Sequence, residues 1–221
     1  MLQSLRDRQP GRPLYRVIWW YFMHALCFVW CLTFYRFRAR GVDRIPRTGP
    51  VLFLCNHQSF LDPILVGLGA HRRQFYAMGR HTLWKPWLAG LMNSLNGIPL
   101  RQGESDTQAI RTTIEVLKKN HALLVFPEGA RTLSGVTEEF APGVMLIIKR
   151  ARPMIVPVAI EGAFDVWPRG QAAPKLFGRV RVEYGEPIPA EDLIKVGTKA
   201  ALVSLQEQIE AMRLSLKEPA N

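Results

Sequence analysis

Val51-Leu52-Phe53-Leu54-Cys55-Asn56-His57-Gln58-Ser59-Phe60-Leu61-Asp62-Pro63 is the stretch that decides how this chain is read. Five uninterrupted apolar residues followed by a polar turn fit a strand buried on both faces, as a parallel sheet requires. A histidine and a carboxylate five positions apart leave that strand. On a regular helix five positions turn about 500°, which would hold the two side chains roughly 140° apart. Contact between them needs a turn, and Pro63 supports one, because proline suits the start of a new helix. Asp62 then has two readings. It is the N-cap of a helix over 63–70, or the partner that orients His57 as a general base.

A second junction of the same kind follows. Ala122-Leu123-Leu124-Val125-Phe126 is apolar, and Pro127-Glu128-Gly129-Ala130-Arg131 is a charged turn. Open α/β sheets bind ligands beyond the carboxyl ends of their strands, so two such exits point to one site at one sheet edge. The plainer alternative for Glu128 and Arg131 is a surface turn with an ion pair of little energetic weight.

Further strands are predicted at 155–160 and 179–184, the latter alternating Val180, Val182 and Tyr184 with charged residues. Helices are predicted at 106–119, with Ser105 and Gln108 as a capping box, and at 198–216. Residues 83–100 read as an apolar helix around Pro86, lining an acyl-chain groove or packing in the core. The expected fold is α/β: a single domain with a mixed, largely parallel sheet flanked by helices. An N-terminal hydrophobic helix precedes it.

That N-terminal region carries much of the net charge of +11. Residues 1–50 hold nine arginines and two aspartates. A basic segment serves nucleic acid or an anionic membrane, and what lies between the arginines chooses the membrane. Val17–Tyr35 is nineteen residues with no formal charge apart from His24. A helix of that length spans ~28 Å, against the ~30 Å of a hydrocarbon core. Trp19, Trp20, Trp30 and Tyr35 lie near its ends, inside Arg16 and Arg36, as membrane interfaces favour. A buried core helix and a cleaved leader are the alternatives. Spanning the bilayer and lying in one leaflet stay equally open, since both flanks are basic. The expected plan is a membrane-anchoring segment at 1–40 and a catalytic domain at 41–221. Cys27, Cys31 and Cys55 show neither disulfide-framework nor zinc spacing, which is compatible with a domain facing the cytoplasm.

Taken together, Asn56-His57-(x4)-Asp62, Phe126-Pro127-Glu128-Gly129-Ala130-Arg131 and Ile155-Val156-Pro157-Val158 resemble three of the four sequence blocks of the lysophospholipid acyltransferase family, in the same order. The resemblance implies acyl transfer from acyl-CoA or acyl-carrier protein to the free hydroxyl of a lysophospholipid, 1-acyl-sn-glycerol-3-phosphate first, in phospholipid biosynthesis. It implies His57 as base and Asp62 as its orienting partner. Glu128, Gly129, Arg131 and Arg101 would bind substrate. No metal or bound cofactor is expected, and membrane lipids rather than nucleic acid are the expected surroundings.

Two positions depart from the family pattern. Ala130 stands where Thr or Ser is common, with Thr132 nearby to supply a small polar group. The usual Ile-Pro-x-x-Arg block is here Ile98-Pro99-Leu100-Arg101-Gln102, its arginine one residue early. One position reverses the side-chain face of a strand, so Arg101 reaches an acceptor phosphate only from a loop. The rival readings are an acyltransferase for another lyso-lipid and a non-catalytic membrane lipid-binding protein.

Overall fold

In the computed structural model, which describes residues 13–71, 73–100 and 106–217, strands and helices alternate along most of the chain. Helix α1 (Leu14–Tyr35) precedes β1 (Arg38–Arg40), β2 (Val51–Cys55), α2 (Asp62–Gly69) and β3 (Phe75–Arg80). Then come α3 (Pro86–Ser94), β4 (Gly97–Leu100), α4 (Asp106–Lys118), β5 (Ala122–Val125) and α5 (Gly143–Ala151). The chain continues through β6 (Met154–Glu161), α6 (Ala163–Val166), β7 (Arg181–Tyr184), β8 (Ile188–Pro189), α7 (Ala190–Val196) and α8 (Thr198–Lys217). The sheet order is β1-β7-β6-β2-β5-β3-β4, with β8 also pairing β6. Strands β2 to β6 run parallel to their neighbours among themselves, while β7 and β8 pair antiparallel with β6. The expected mixed, largely parallel sheet flanked by helices is therefore present.

Period-two alternation on β2 divides the core in two. Val51, Phe53 and Cys55 pack with Tyr35, Leu65, Val66 and Tyr184 on one face. Leu52 and Leu54 pack with Leu117, Ile148, Leu205 and Ile209 on the other. Helices cover both faces, which is why the strand is uniformly apolar. Its neighbours are in register at the carboxyl end: Leu54 pairs Val125, and Cys55 pairs Val158. The residues that follow β2 and β5 therefore emerge side by side, while β6 runs three residues past its pairing with Cys55.

Residues 83–100 differ from the expected single helix. Helix α3 stops at Ser94, Asn96 takes a left-handed φ of 65°, and the chain resumes as β4. Pro99 explains the switch, since proline lacks the helical donor but is tolerated on an edge strand, and β4 is an edge. The predicted strand at 179–184 starts two residues later, at Arg181. Strand β1, Arg38-Ala39-Arg40, escaped prediction because three residues are too few to show a periodicity.

Helix α1 lies along the domain. Near its start Trp19 Nε1–H donates to Ser94 Oγ at 2.9 Å. Midway, His24 Nε2 is 3.1 Å from the Leu68 carbonyl. At its end the carbonyls of Phe34 and Tyr35 accept the N–H groups of Gly178 and Val180. Val17, Trp20, Cys31 and Tyr35 are buried by this docking. Ile18, Phe22, Leu26, Val29, Trp30 and Leu32 remain exposed on the other side. An exposed apolar face of that extent marks an interaction surface.

Candidate active site

The chain leaving β2 turns sharply, and one carboxylate organises the turn. Asp62, fully buried, places Oδ2 within 2.8 Å of His57 Nδ1. The same oxygen accepts the N–H groups of Gln58 at 2.6 Å and Ser59 at 2.7 Å. Asp62 is the first residue of α2, with no side-chain cap on that helix. The capping alternative fails because the carboxylate points back into the turn. Burial raises the Asp62 carboxyl, opposed by the hydrogen bond and charge of His57 and by the two amides. His57 Nδ1 therefore faces a fixed acceptor, and Nε2 is the ring nitrogen turned away from Asp62. The imidazole stacks on Phe126, with ring centroids 3.9 Å apart and planes inclined by 14°.

The second charged turn grips the backbone of the first. Glu128 Oε1 accepts the peptide N–H of His57 at 2.8 Å. The peptide N–H of Thr132 donates to the His57 carbonyl, also at 2.8 Å. Gly129 closes the turn by donating its N–H to the Phe126 carbonyl, at a φ of 73° that favours glycine. Burial, reinforced by the nearby carboxylates of Glu138 and Asp62, pushes Glu128 up to about 8, against hydrogen bonds from the His57 and Glu138 peptides. Arg131 sets its guanidinium 3.5 Å from the centroid of the Phe60 ring, a cation–π contact on the same side as the histidine turn.

A family model described as Acyltransferase matches residues 36–161, more than half the chain and the whole of both turns. The chain belongs to the acyltransferase family. It is 24% identical over 182 residues to 1-acyl-sn-glycerol-3-phosphate acyltransferase of Bacillus subtilis, covering 81% of this chain and 85% of that protein. It is 29% identical to lyso-ornithine lipid O-acyltransferase of Pseudomonas aeruginosa, covering 96% of this chain and 84% of that one. A chloroplastic 1-acyl-sn-glycerol-3-phosphate acyltransferase of Arabidopsis thaliana is 27% identical over 76% of this chain. The chain spans about half the length of that plastid relative. The crystal structure of a 1-acyl-sn-glycerophosphate acyltransferase from Thermotoga maritima shares the fold, with a TM-score of 0.75, 22% identity, and coverage of 99% of this chain and 89% of that one.

In this acyltransferase fold His57, Asp62, Glu128, Gly129 and Arg131 come together at one sheet edge. Arg101, one position after β4, lies outside the described residues, as does Ser105 of the expected capping box. Ser59 is a turn hydroxyl, donating to the Trp167 carbonyl at 3.0 Å. Among the described residues no three His, Cys, Asp or Glu side chains group as a metal site would.

Several supporting residues have partners that the sequence did not reveal. Asn56, buried, extends the β2–β6 ladder with its side chain, donating to the Ile160 carbonyl at 2.9 Å and accepting the Ile160 N–H at 2.8 Å. Gln58, also buried, ties the histidine turn to the Gly135 carbonyl and the Phe164 N–H. Thr132 Oγ1 accepts the N–H groups of Ser134 and Gly135, each at 3.2 Å. The loop beyond is held from α8: Thr137 N–H donates to Glu210, and Arg213 bridges Glu210 and Glu161 at 2.6 and 2.5 Å. An amide in a buried turn and an arginine late in a helix look ordinary in sequence; only their partners make them distinctive.

Proposed function

We propose that this acyltransferase moves an acyl chain from acyl-CoA or acyl-carrier protein to the free hydroxyl of 1-acyl-sn-glycerol-3-phosphate, giving phosphatidate. The observation that carries this reading is the His57 Nδ1 to Asp62 Oδ2 contact of 2.8 Å, with Asp62 fully buried. An alcohol is a weak nucleophile at neutral pH. His57 Nε2 removes its proton as the oxygen attacks the thioester carbonyl carbon. Asp62 holds the imidazole in the matching tautomer and stabilises the imidazolium. The tetrahedral intermediate collapses, the carbon–sulfur bond breaks, and the proton on His57 passes to the departing thiolate. The products are an ester and a free thiol. A thiolate leaves readily, so the step calls for no bound cofactor. A positioned base typically contributes ~10²–10⁴-fold. Arg131, anchored over Phe60, binds phosphate of the acceptor or donor through its donor fork. Glu128 and Gly129 shape the turn that presents it.

The docking of α1 supports attachment along a membrane surface. Both ends of the helix contact one domain, so crossing a bilayer would carry the domain in with it. The exposed apolar face instead enters one leaflet from the side, with the domain facing the cytoplasm.

A second acceptor is favoured by one specific observation: the lyso-ornithine lipid relative covers 96% of this chain. The deciding experiment presents purified protein with lysophosphatidate, other lysophospholipids and lyso-ornithine lipid, each with both thioester donors. The highest kcat/KM is expected on lysophosphatidate. A preference for the amino-acid lipid overturns that acceptor, and transfer that survives His57→Ala overturns the mechanism.

A further inference from the structure

Between α6 and β7 the chain runs without helix or strand, and every residue from Arg169 to Phe177 is exposed. Long irregular connections in a compact domain are usually functional. This one is held at its base. Lys175 N–H donates to the Val166 carbonyl at 2.9 Å, and Trp167 Nε1–H to the Gln171 carbonyl at 2.9 Å. Gly178 and Val180 bond the last carbonyls of α1 at 3.0 and 2.9 Å. A methyl group at Gly178 would collide with Val166, so the chain passes α6 with no room to spare.

The tip of this loop is apolar. Leu176 is 53% exposed and Phe177 68%. The Phe177 ring lies 5.8 Å from Phe34, and Phe34 lies 4.3 Å from Trp30 on the exposed side of α1. The tip thus continues the apolar face of the anchor helix. Arg169, Lys175 and Arg179 flank it, and residues 167–180 include no acidic side chain. Apolar and aromatic groups bordered by basic ones match the boundary between acyl chains and anionic headgroups.

We infer that residues 168–179 form a second contact with the lipid surface, with Leu176 and Phe177 entering the acyl boundary and the basic residues meeting anionic headgroups. This inference rests on the reading of α1 as a helix lying on the membrane. An acidic carrier protein would also be drawn to the three basic side chains. The lipid surface is favoured because the apolar tip is continuous with the helix face that already seeks lipid. A contact beyond the end of the helix fixes the tilt of the domain, which a single helix leaves free to roll. The loop also reaches the site: Trp167 accepts the Ser59 hydroxyl at 3.0 Å, and its ring lies 5.3 Å from Phe60 beneath Arg131.

The test uses the full chain with Phe177→Cys carrying an environment-sensitive fluorophore, and unsubstituted protein labelled in parallel to account for the native cysteines. Vesicles of phosphatidylcholine and phosphatidylglycerol, with and without nitroxide-bearing lipid, are the probe. The expected result is a blue shift and nitroxide quenching at position 177. A label that stays in water while the protein floats with the vesicles overturns this inference and leaves the α1 reading intact. Failure to float at all overturns both. Shielding of the label by acyl-carrier protein but not by vesicles assigns the loop to the carrier and also overturns it. As a second measurement, Leu176→Ser/Phe177→Ser is expected to lower vesicle partitioning roughly tenfold. Transfer to detergent-dispersed acceptor should be unchanged, since neither side chain touches the site. Unchanged partitioning contradicts the inference.

Discussion

Glu128 accepts the peptide N–H of His57 at 2.8 Å, so a carboxyl of one motif positions the proposed base of the other. With Thr132 bonded to the His57 carbonyl, both backbone polar groups of His57 are held by the second turn. The imidazole ring is held separately by Asp62 and Phe126.

Glu128→Gln keeps the acceptor oxygen that His57 needs and is expected to retain most activity, whereas Glu128→Ala is expected to lower kcat. The carboxyl also has a stability signature. Its value of about 8 in the fold exceeds the ordinary 4.5, so the native state binds the proton more tightly than the unfolded chain. Its contribution favours folding most at low pH and is lost as pH rises from about 4.5 to about 8. Urea unfolding across that window should show a decline that Glu128→Gln flattens. An unchanged slope contradicts the buried, protonated carboxyl.

Asp62→Asn preserves shape but removes the charge that selects the imidazole tautomer. The expected result is a kcat lower by ~10²–10⁴-fold with KM little changed. The His57→Ala variant is expected to lose a comparable factor, and the double variant little more, because the two residues act as a unit. Additive losses in single-turnover assays would separate their roles.

Arg131→Ala is expected to act mainly on KM for a phosphate-bearing substrate. Arg131→Lys should rescue it only in part, since lysine cannot reproduce the planar fork. A pure kcat loss with KM unchanged would move Arg131 from binding to chemistry.

Arg213 bridges Glu161, at the end of β6, to Glu210, which holds the loop through Thr137. Its side chain is 3% exposed. Removing one member of a buried ion network costs about 3–5 kcal/mol, so Arg213→Ala should lower the urea midpoint clearly. Activity at a permissive temperature should fall with the loosened loop, and a wild-type midpoint would show the network to be energetically idle.

Truncation through residue 40 removes a helix that buries Val17, Trp20, Cys31 and Tyr35 against the domain. Release from membranes should therefore come with lost stability. Replacing the exposed Phe22, Leu26 and Val29 by Ser is expected to release the protein while leaving its urea midpoint near the wild-type value. Retained flotation of that triple variant would place the anchor elsewhere.

The apolar runs 51–55, 122–126 and 155–160, broken by turn residues, determine a parallel-sheet core almost by themselves. Uniform hydrophobicity over four to eight residues has few other uses. The His57 and Asp62 pairing was legible for a related reason: residue types and a five-residue spacing are local properties. Three things only the tertiary structure decided. Glu128 turns to the His57 peptide because the registry of β2 and β5 brings two distant turns within hydrogen-bond reach. Asn56, Gln58 and Arg213 each have a partner more than fifty residues away, which no local pattern encodes. The docked and exposed faces of α1 are equally apolar, so periodicity could not tell them apart; contact with the domain alone chooses which half remains for lipid.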